Sequence, residues 1–556
     1  MRNAALSSDR EPDSFKLREQ IRGSHSIGAR AAGATGVDSL MSERILRRVS
    51  LIAGEPVSPE GGDIFRAFDP IAGEVIDPAY VSANDAQVEQ AAKAAWLAFR
   101  DYSRRSGQER AQFLRCIANG IESLGTTLIE RAGRETGLPS AHIESERART
   151  CMQLRMFAQL AAEATWIDAR CDSADALRKP QPKPQISSLL RPLGPVTIFG
   201  ASNFPLAFSV AGGDTAAAFA AGCTVIIKAQ PAHPGTSELI GNVINDAVEQ
   251  CHLPKGVFSL LFDAGHEVGL ALVRHRLIKA AAFTGSRNGG LTLWRAAQDR
   301  VDPIPFFAEM SSINPMFILP AVMRTQSDTL ATGLHTSMVL GVGQFCTQPG
   351  LIFIPGDESA DELLHKLARL VRDTPAGMML TPAISERYVD ELAARCAFPA
   401  VSVLALAAAP NRRSQAVAAL LATDTAEFLQ NARLREELFG PCSLVIRCAA
   451  HEDFARCAEQ LEGQLTATVW GGTAELAEQS ELLWLLEQKA GRVIVNDFPT
   501  GVEVGAATVH GGPFPATTDS RFSSVGARSI ARFVRPVAYQ NFPPELLPPE
   551  LRTIKA

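Results

Sequence analysis

Ala280-Ala-Ala-Phe-Thr-Gly-Ser-Arg-Asn-Gly-Gly290 is a short apolar run that ends in glycines and small polar residues. Four apolar residues in a row suit a strand covered on both faces. The glycines after them, with Ser286 among them, suit a turn into a helix that runs to Arg300. A strand, a glycine turn and a helix make one unit of an α/β fold. Gly285 and Gly290 set backbone N–H groups at the start of that helix, where an anion such as a phosphate is favoured. Gly-x-x-x-x-Gly is not the GxGxxG dinucleotide fingerprint, so by itself the pair also fits a plain turn.

Upstream the same rhythm recurs. Strands are expected at Val196-Thr-Ile-Phe199, Thr224-Val-Ile-Ile-Lys228 and Val257 to Phe262. Helices are expected at Ala211 to Ala221, Thr236 to Cys251 and His266 to His275. Such alternation implies a parallel sheet with covered faces, and ligands of such sheets sit at the carboxyl ends of strands. Lys228 ends one strand, where its ammonium can meet a ribose hydroxyl or a phosphate. Further upstream, helices are expected from Ser82, from Gln108 to Ile121 and from Leu124 to Glu135. A longer one runs from Ser140 to about Trp166, with Arg147, Arg149, Gln153 and Arg155 on its polar side. Solvation is the ordinary reading of such charges. Cys171 to Ser188 is Pro-rich and reads as a linker or hairpin.

Downstream, a second α/β unit begins at Met310. Its expected strands are Leu351 to Pro355, Ser443 to Arg447 and Arg492 to Asn496. Within it, Gly341-Val-Gly-Gln-Phe-Cys-Thr-Gln-Pro-Gly350 sets Cys346 among three glycines and a proline. Glycine lets a backbone turn and lets another group come close, so this thiol can be reached by a substrate. The alternative is a cysteine acting as a small core hydrophobe. Val502 to Ser524 is a long Gly/Pro-rich loop, and loops of that length are usually functional. Ile530 to Tyr539 is expected as a final strand that pairs with another subunit.

Composition bounds the partners. Hydrophobic residues make up 46% and charged residues 21% of 556, with a formal net charge of -6. That is ordinary globular composition, and it argues against nucleic acid or a cationic membrane face. No apolar run approaches the ~20 residues that span a bilayer. Ten cysteines without a CxxC pair read as reduced thiols, so a cytoplasmic location and no metal centre are expected. Residues 1–44 are expected to be a disordered extension.

A thiol that acts on a carbonyl needs a stabilised oxyanion and a base for the second half-reaction. Asn203, in Gly200-Ala-Ser-Asn-Phe-Pro205, can donate to an oxyanion. Glu309 follows an apolar stretch, so its pKa is expected to be raised towards neutrality. Each also has a plainer reading, as a turn residue and an exposed charge.

Taken together, these stretches resemble the NAD(P)-dependent aldehyde dehydrogenase superfamily. The matching segments are Ser202-Asn-Phe-Pro-Leu206, Lys228, Phe283-Thr-Gly-Ser286, Glu309 with Asn314-Pro315, Gly343-Gln-Phe-Cys346 and Glu436-Glu-Leu-Phe-Gly-Pro441. Further stretches are similar to the branch that oxidises alpha-ketoglutaric semialdehyde (2,5-dioxopentanoate). They are Glu135-Thr-Gly-Leu-Pro139, Glu146-Arg-Ala-Arg-Thr150, Gly212-Gly-Asp-Thr215, Ala232-His-Pro-Gly-Thr236, Thr500-Gly-Val-Glu-Val504 and Val509-His-Gly-Gly-Pro513.

The resemblance implies an α/β fold with two Rossmann-like parallel-sheet domains and an oligomerisation strand assembly. The cofactor domain would take residues 45–170 and 189–309, the catalytic domain 310–525, and the bridging segments 171–188 and 526–556. It implies Cys346 as nucleophile, Asn203 at the oxyanion and Glu309 as base. It implies NAD or NADP held by Lys228, Gly285, Ser286, Gly290, Glu437 and Phe439. A substrate carboxylate asks for an arginine fork, for which Arg155, Gln153 and Arg521 are the candidates. A homodimer or homotetramer is implied. The alternatives are a fatty or aromatic aldehyde as substrate, or a silent cofactor-binding homologue. Met310-Ser311 stands where relatives have Leu-Gly, and Gln348 where a Lys is common.

Overall fold

The computed structural model describes residues 20–22, 46–450 and 452–552. The first sheet has seven strands, in the order Phe306–Glu309, Ala280–Thr284, Val196–Phe199, Val225–Lys228, Phe258–Leu261, Ser50–Ile52 and Glu55–Val57. The first five are parallel, and the last two form an antiparallel hairpin on the edge. The central strands are buried along their length, as Val, Ile, Ala and Phe on both faces require. Helices Asp85–Tyr102, Gly107–Ser123, Gly125–Thr136 and Ser140–Glu163 precede the parallel strands. The first starts three residues later than Ser82, because Asn84 and Gln87 form a capping box. Ser82 instead accepts the Ala264 N–H.

The second sheet also has seven strands, in the order Ser402–Leu406, Ala419–Asp424, Cys442–Cys448, Leu351–Pro355, Met316–Ile318, Gln464–Trp470 and Ala490–Val495. All but the Ser402–Leu406 edge run parallel. Phe317 and Phe353 stack at its centre, 4.5 Å between ring centroids, inside a core distinct from that of the first sheet. The two expected parallel-sheet units are therefore present.

The last strand departs from expectation. Val534–Gln540 pairs antiparallel with Ile186–Pro192 of the same chain over seven residues, and Arg170–Asp172 adds a third strand. The segments are more than 300 positions apart, so neither showed its partner locally. Of the extension expected over residues 1–44, only 20–22 are described. They are helical, Ile21 is buried in the second unit's core, and Arg22 pairs with Asp390. Order at that point differs from the expected disorder, because an apolar side chain found a core to enter.

Candidate active site

The proposed nucleophile lies on a turn that few sequences can make. Gly341, Val342 and Gly343 all have positive φ, at 57°, 58° and 66°. A β-branched residue there is strained, by about 1–3 kcal/mol, and the packing must hold it. A Cβ on Gly343 would lie 2.3 Å from the carbonyl carbon of Gly440, and one on Gly377 would lie 2.6 Å from a Val342 methyl. The loop is thus pressed directly onto the Glu436–Pro441 segment. Asn314 braces it from the other side, donating from Nδ2 to the carbonyls of Cys346 and Gln348, both at 2.9 Å. Gln348 is buried and donates to the Cys442 carbonyl at 2.9 Å. It is a strut, and the position holds no cation.

Glu309 closes its strand at the carboxyl edge of the first sheet, where parallel sheets present ligands. The long loop expected to be functional straps across that edge. Met310 N–H donates to the Ala516 carbonyl, and Glu309 bridges Thr517. The strap delivers His510 and Ser524. His510 Nε2 lies 3.4 Å from Cys346 Sγ and 2.9 Å from Glu309 Oε1. Ser524 Oγ donates to Glu309 Oε2. Thiol, imidazole and carboxylate atoms all fall within 4.8 Å of one another, close enough to share protons.

The electrostatics correct one expectation. Burial alone would raise Glu309. The charge and hydrogen bond of His510, with Ser524 and Cys346, instead bring it below the usual carboxylate value. Glu309 is held ionised. The Cys346 thiol goes the other way: burial pushes it well up, and the neighbouring Glu309 charge adds to that.

Asn203 sits just past the Val196–Phe199 strand. Its Nδ2 donates to the Gln344 carbonyl at 2.8 Å, two residues before the cysteine. Glu146 fixes that turn, accepting from the Leu206 and Ala207 N–H groups at 2.8 Å each. Burial pushes Glu146 up to about 7 against those bonds. Two other branch motifs have structural tasks. Glu135 accepts from the N–H groups of Gly235 and Thr236 and pairs with Arg131. Asp214 pairs with the buried Arg532.

On the cofactor side, Lys228 ends its strand, and its Nζ donates to the Asp263 carbonyl at 2.9 Å. Burial lowers its pKa to about 8. Ser286 caps the helix Arg287–Gln298 by accepting from Gly289 N–H at 3.3 Å. A Cβ on Gly285 would press the Phe283 ring at 2.8 Å, and one on Gly290 the Met310 sulfur at 2.7 Å. The Met310 departure is therefore packed against this helix. Glu437 and Phe439 are half-buried on the segment that backs the cysteine loop. Burial raises Glu437 to about 7, while the Ser311 hydroxyl and Ser312 N–H pull it back. Ser311 takes no positive φ among the described residues, so it needs no glycine and binds Glu437 instead. A nicotinamide dinucleotide fits this set. Lys228 and the capped helix suit ribose and phosphate, and the buried Asp263 Oδ2 has no partner among the described residues, as a ribose hydroxyl would require.

The expected substrate residues fare differently. Arg155 is exposed, and its guanidinium is taken up by Glu122 at 2.6 Å and Asn119 at 3.0 Å. Arg521 is exposed and held by Asp519. Neither is available as a carboxylate fork, because each already has a surface acid. Gln153 is buried against Gly213, and its Nε2 has no partner among the described residues. His510, Ser524 and Asp263 were given no role by the sequence, and Arg149 was left to solvent on the polar side of its helix. Val509-His-Gly-Gly-Pro513 was visible as a motif, but the carboxylate it serves is 201 positions away.

Known proteins agree with this architecture. Residues 57–513 match the sequence profile of the aldehyde dehydrogenase family. Alpha-ketoglutaric semialdehyde dehydrogenase 2 of Azospirillum brasilense is 47% identical over 503 residues, 90% of this chain and 96% of that protein. Alpha-ketoglutaric semialdehyde dehydrogenase of Acinetobacter baylyi is 44% identical, covering 84% and 88%. Among solved structures, betaine aldehyde dehydrogenase from Staphylococcus aureus in complex with NAD+ superposes with a TM-score of 0.78 at 19% identity, covering 90% of this chain and 96% of that one. The chain belongs to the aldehyde dehydrogenase family.

Proposed function

We propose that this protein oxidises alpha-ketoglutaric semialdehyde (2,5-dioxopentanoate) to 2-oxoglutarate, with NAD as the favoured cofactor. The chain Cys346–His510–Glu309 is the observation that carries the chemistry, and the 47% identity to a relative of that name, over 96% of its length, supports the substrate. A fatty or aromatic aldehyde has no comparable support. Glu309, held ionised, takes the thiol proton from Cys346, and His510 holds its carboxylate in place. The Cys346 sulfur attacks the aldehyde carbon, and Asn203 with the Cys346 N–H steadies the resulting oxyanion. A dinucleotide held by Lys228 and the Ser286-capped helix would supply the hydride acceptor. The acyl group is then a thioester on Cys346, and Glu309 removes a proton from the water that hydrolyses it. The carboxylic acid leaves and the thiol is restored.

Lys228, Gly285, Ser286, Gly290, Glu437 and Phe439 are our candidates for holding the cofactor. The buried Asp263 beside Lys228 favours a free ribose 2′-hydroxyl over a 2′-phosphate. All ten cysteines are unpaired, which supports a reducing compartment such as the cytoplasm. The strands Val534–Gln540 and Arg170–Asp172 are the outer edges of their small sheet, which supports that sheet as the surface of a homo-oligomer. A spectrophotometric assay with 2,5-dioxopentanoate and either dinucleotide tests the function. We expect turnover that is faster with NAD and abolished in Cys346→Ala. Turnover of hexanal alone, or full activity in Cys346→Ala, would overturn it.

A further inference from the structure

We propose that Arg149 and Arg492 together form the fork that grips the anionic end of the substrate, and so select aldehydes that carry a carboxylate. This rests on the substrate reading above and names the residues that would enforce it. Arg149 projects from the helix Ser140–Glu163. Its Nη1 donates to the Val502 carbonyl at 2.7 Å, while Nε and Nη2 are buried without a partner. Those two nitrogens form the edge of a guanidinium that binds a carboxylate side-on. Arg492 projects from the strand Ala490–Val495. Its Nη2 donates to the carbonyls of Pro499 and Gly501 at 2.8 Å each, and its Nε is likewise buried and unpartnered.

Two cations reaching one strap of backbone is an unusual use of charge. Of the buried arginines, Arg131 pairs with Glu135 and Arg532 with Asp214, while Arg110 and Arg395 reach backbone carbonyls; Arg149 and Arg492 are half-buried, with donor atoms that are themselves buried. Among the described residues, neither Arg149 nor Arg492 has an acid within ion-pair distance. Unmade hydrogen bonds from buried charged donors are costly, and an incoming carboxylate would satisfy them.

The place is right as well. Residues 499–502, which both arginines hold, are tied to the nucleophile's neighbour: Gly501 N–H donates to Thr347 Oγ1 at 3.1 Å. The Arg149 guanidinium lies 5.9 Å over the Phe208 ring, and that ring lies 6.5 Å from His510. Burial lowers the pKa of both guanidinium groups, and charge on Cys346 opposes that in each. Both arginines therefore lie within electrostatic reach of the Cys346 sulfur.

The test compares aldehydes within each variant. For Arg149→Met, Arg492→Met and Arg149→Lys, kcat/KM is measured with 2,5-dioxopentanoate and with pentanal, and the ratio is taken. NAD binding by tryptophan fluorescence checks that each variant is folded. We expect the ratio to fall by about 100-fold in the two Met variants, mostly through KM, with Arg149→Lys recovering only part of it, since a lysine keeps the charge but not the fork. An unchanged ratio, or equal losses on both aldehydes, overturns the fork. A wild-type protein that prefers glutaric semialdehyde to both would overturn the proposed substrate but leave the fork standing, because that aldehyde also ends in a carboxylate.

Discussion

His510 is the side chain on which the site's protonation depends. It is the largest influence opposing burial at Glu309. Replacing it by Gln would remove that influence, and desolvation would then raise the Glu309 pKa. With ionised Glu309 as the proposed base, the acid limb of the kcat–pH profile should move to higher pH in His510→Gln. The rate at neutral pH should fall by roughly 100-fold or more, the usual scale for disturbing a general base. An acid limb that stays in place would show that His510 does not govern Glu309. Cys346, Glu309 and Asn203 are candidates from the sequence because each lies in a short stretch with its own local logic, and the structure brings Cys346 and Glu309 together around His510. Arg149 and Arg492 were not candidates. A helix turns ~100° per residue, so Gln153 shares a face with Arg149, whereas Arg155 points to the opposite side. The polar residues were visible, but the face that meets the strap was not.

At the scale of elements, buried acids staple the pieces that surround the reacting groups. Glu146 holds the turn that carries Asn203, and burial raises it to about 7. A carboxyl whose folded pKa is raised binds its proton more tightly folded than unfolded. Its contribution is present below the unfolded value of ~4.3 and is lost as pH climbs towards 7. Glu146→Gln keeps an oxygen acceptor for the Leu206 and Ala207 N–H groups and removes the titration. The Tm of this variant, relative to the parent, should therefore increase between pH 5 and pH 8. A flat difference across that range would contradict the assignment. The seven parallel strands expected from the sequence lie within one or two residues of that reading, since their apolar runs are short, whereas Phe306–Glu309, Met316–Ile318, Ala419–Asp424 and Gln464–Trp470 were not among them. The stapling acids were visible only as motifs. Glu135 meets its partners 100 positions on, and nothing local marks a carboxylate as buried.

At the scale of the molecule, the two α/β units followed from the alternation of apolar runs and helical periods, though the seven strands of each sheet did not. The small third sheet did not follow, because Val534–Gln540 pairs with a strand more than 300 positions earlier. Its outer edges lie near exposed apolar side chains, Phe542 and Leu546 among them, so light scattering at micromolar concentration should give a mass of two chains or more. A single-chain mass would remove that sheet's proposed role. The contact of Gly343 with Gly440 bears on inheritance rather than on chemistry. Those two positions lie almost 100 residues apart, yet a side chain at Gly343 would displace the Gly440 backbone, and one at Gly440 would press into the Tyr388 ring. The cysteine loop and the Glu436–Pro441 segment are thus a single heritable unit. A chimera that exchanges one of them with a distant relative should fail unless the other travels with it.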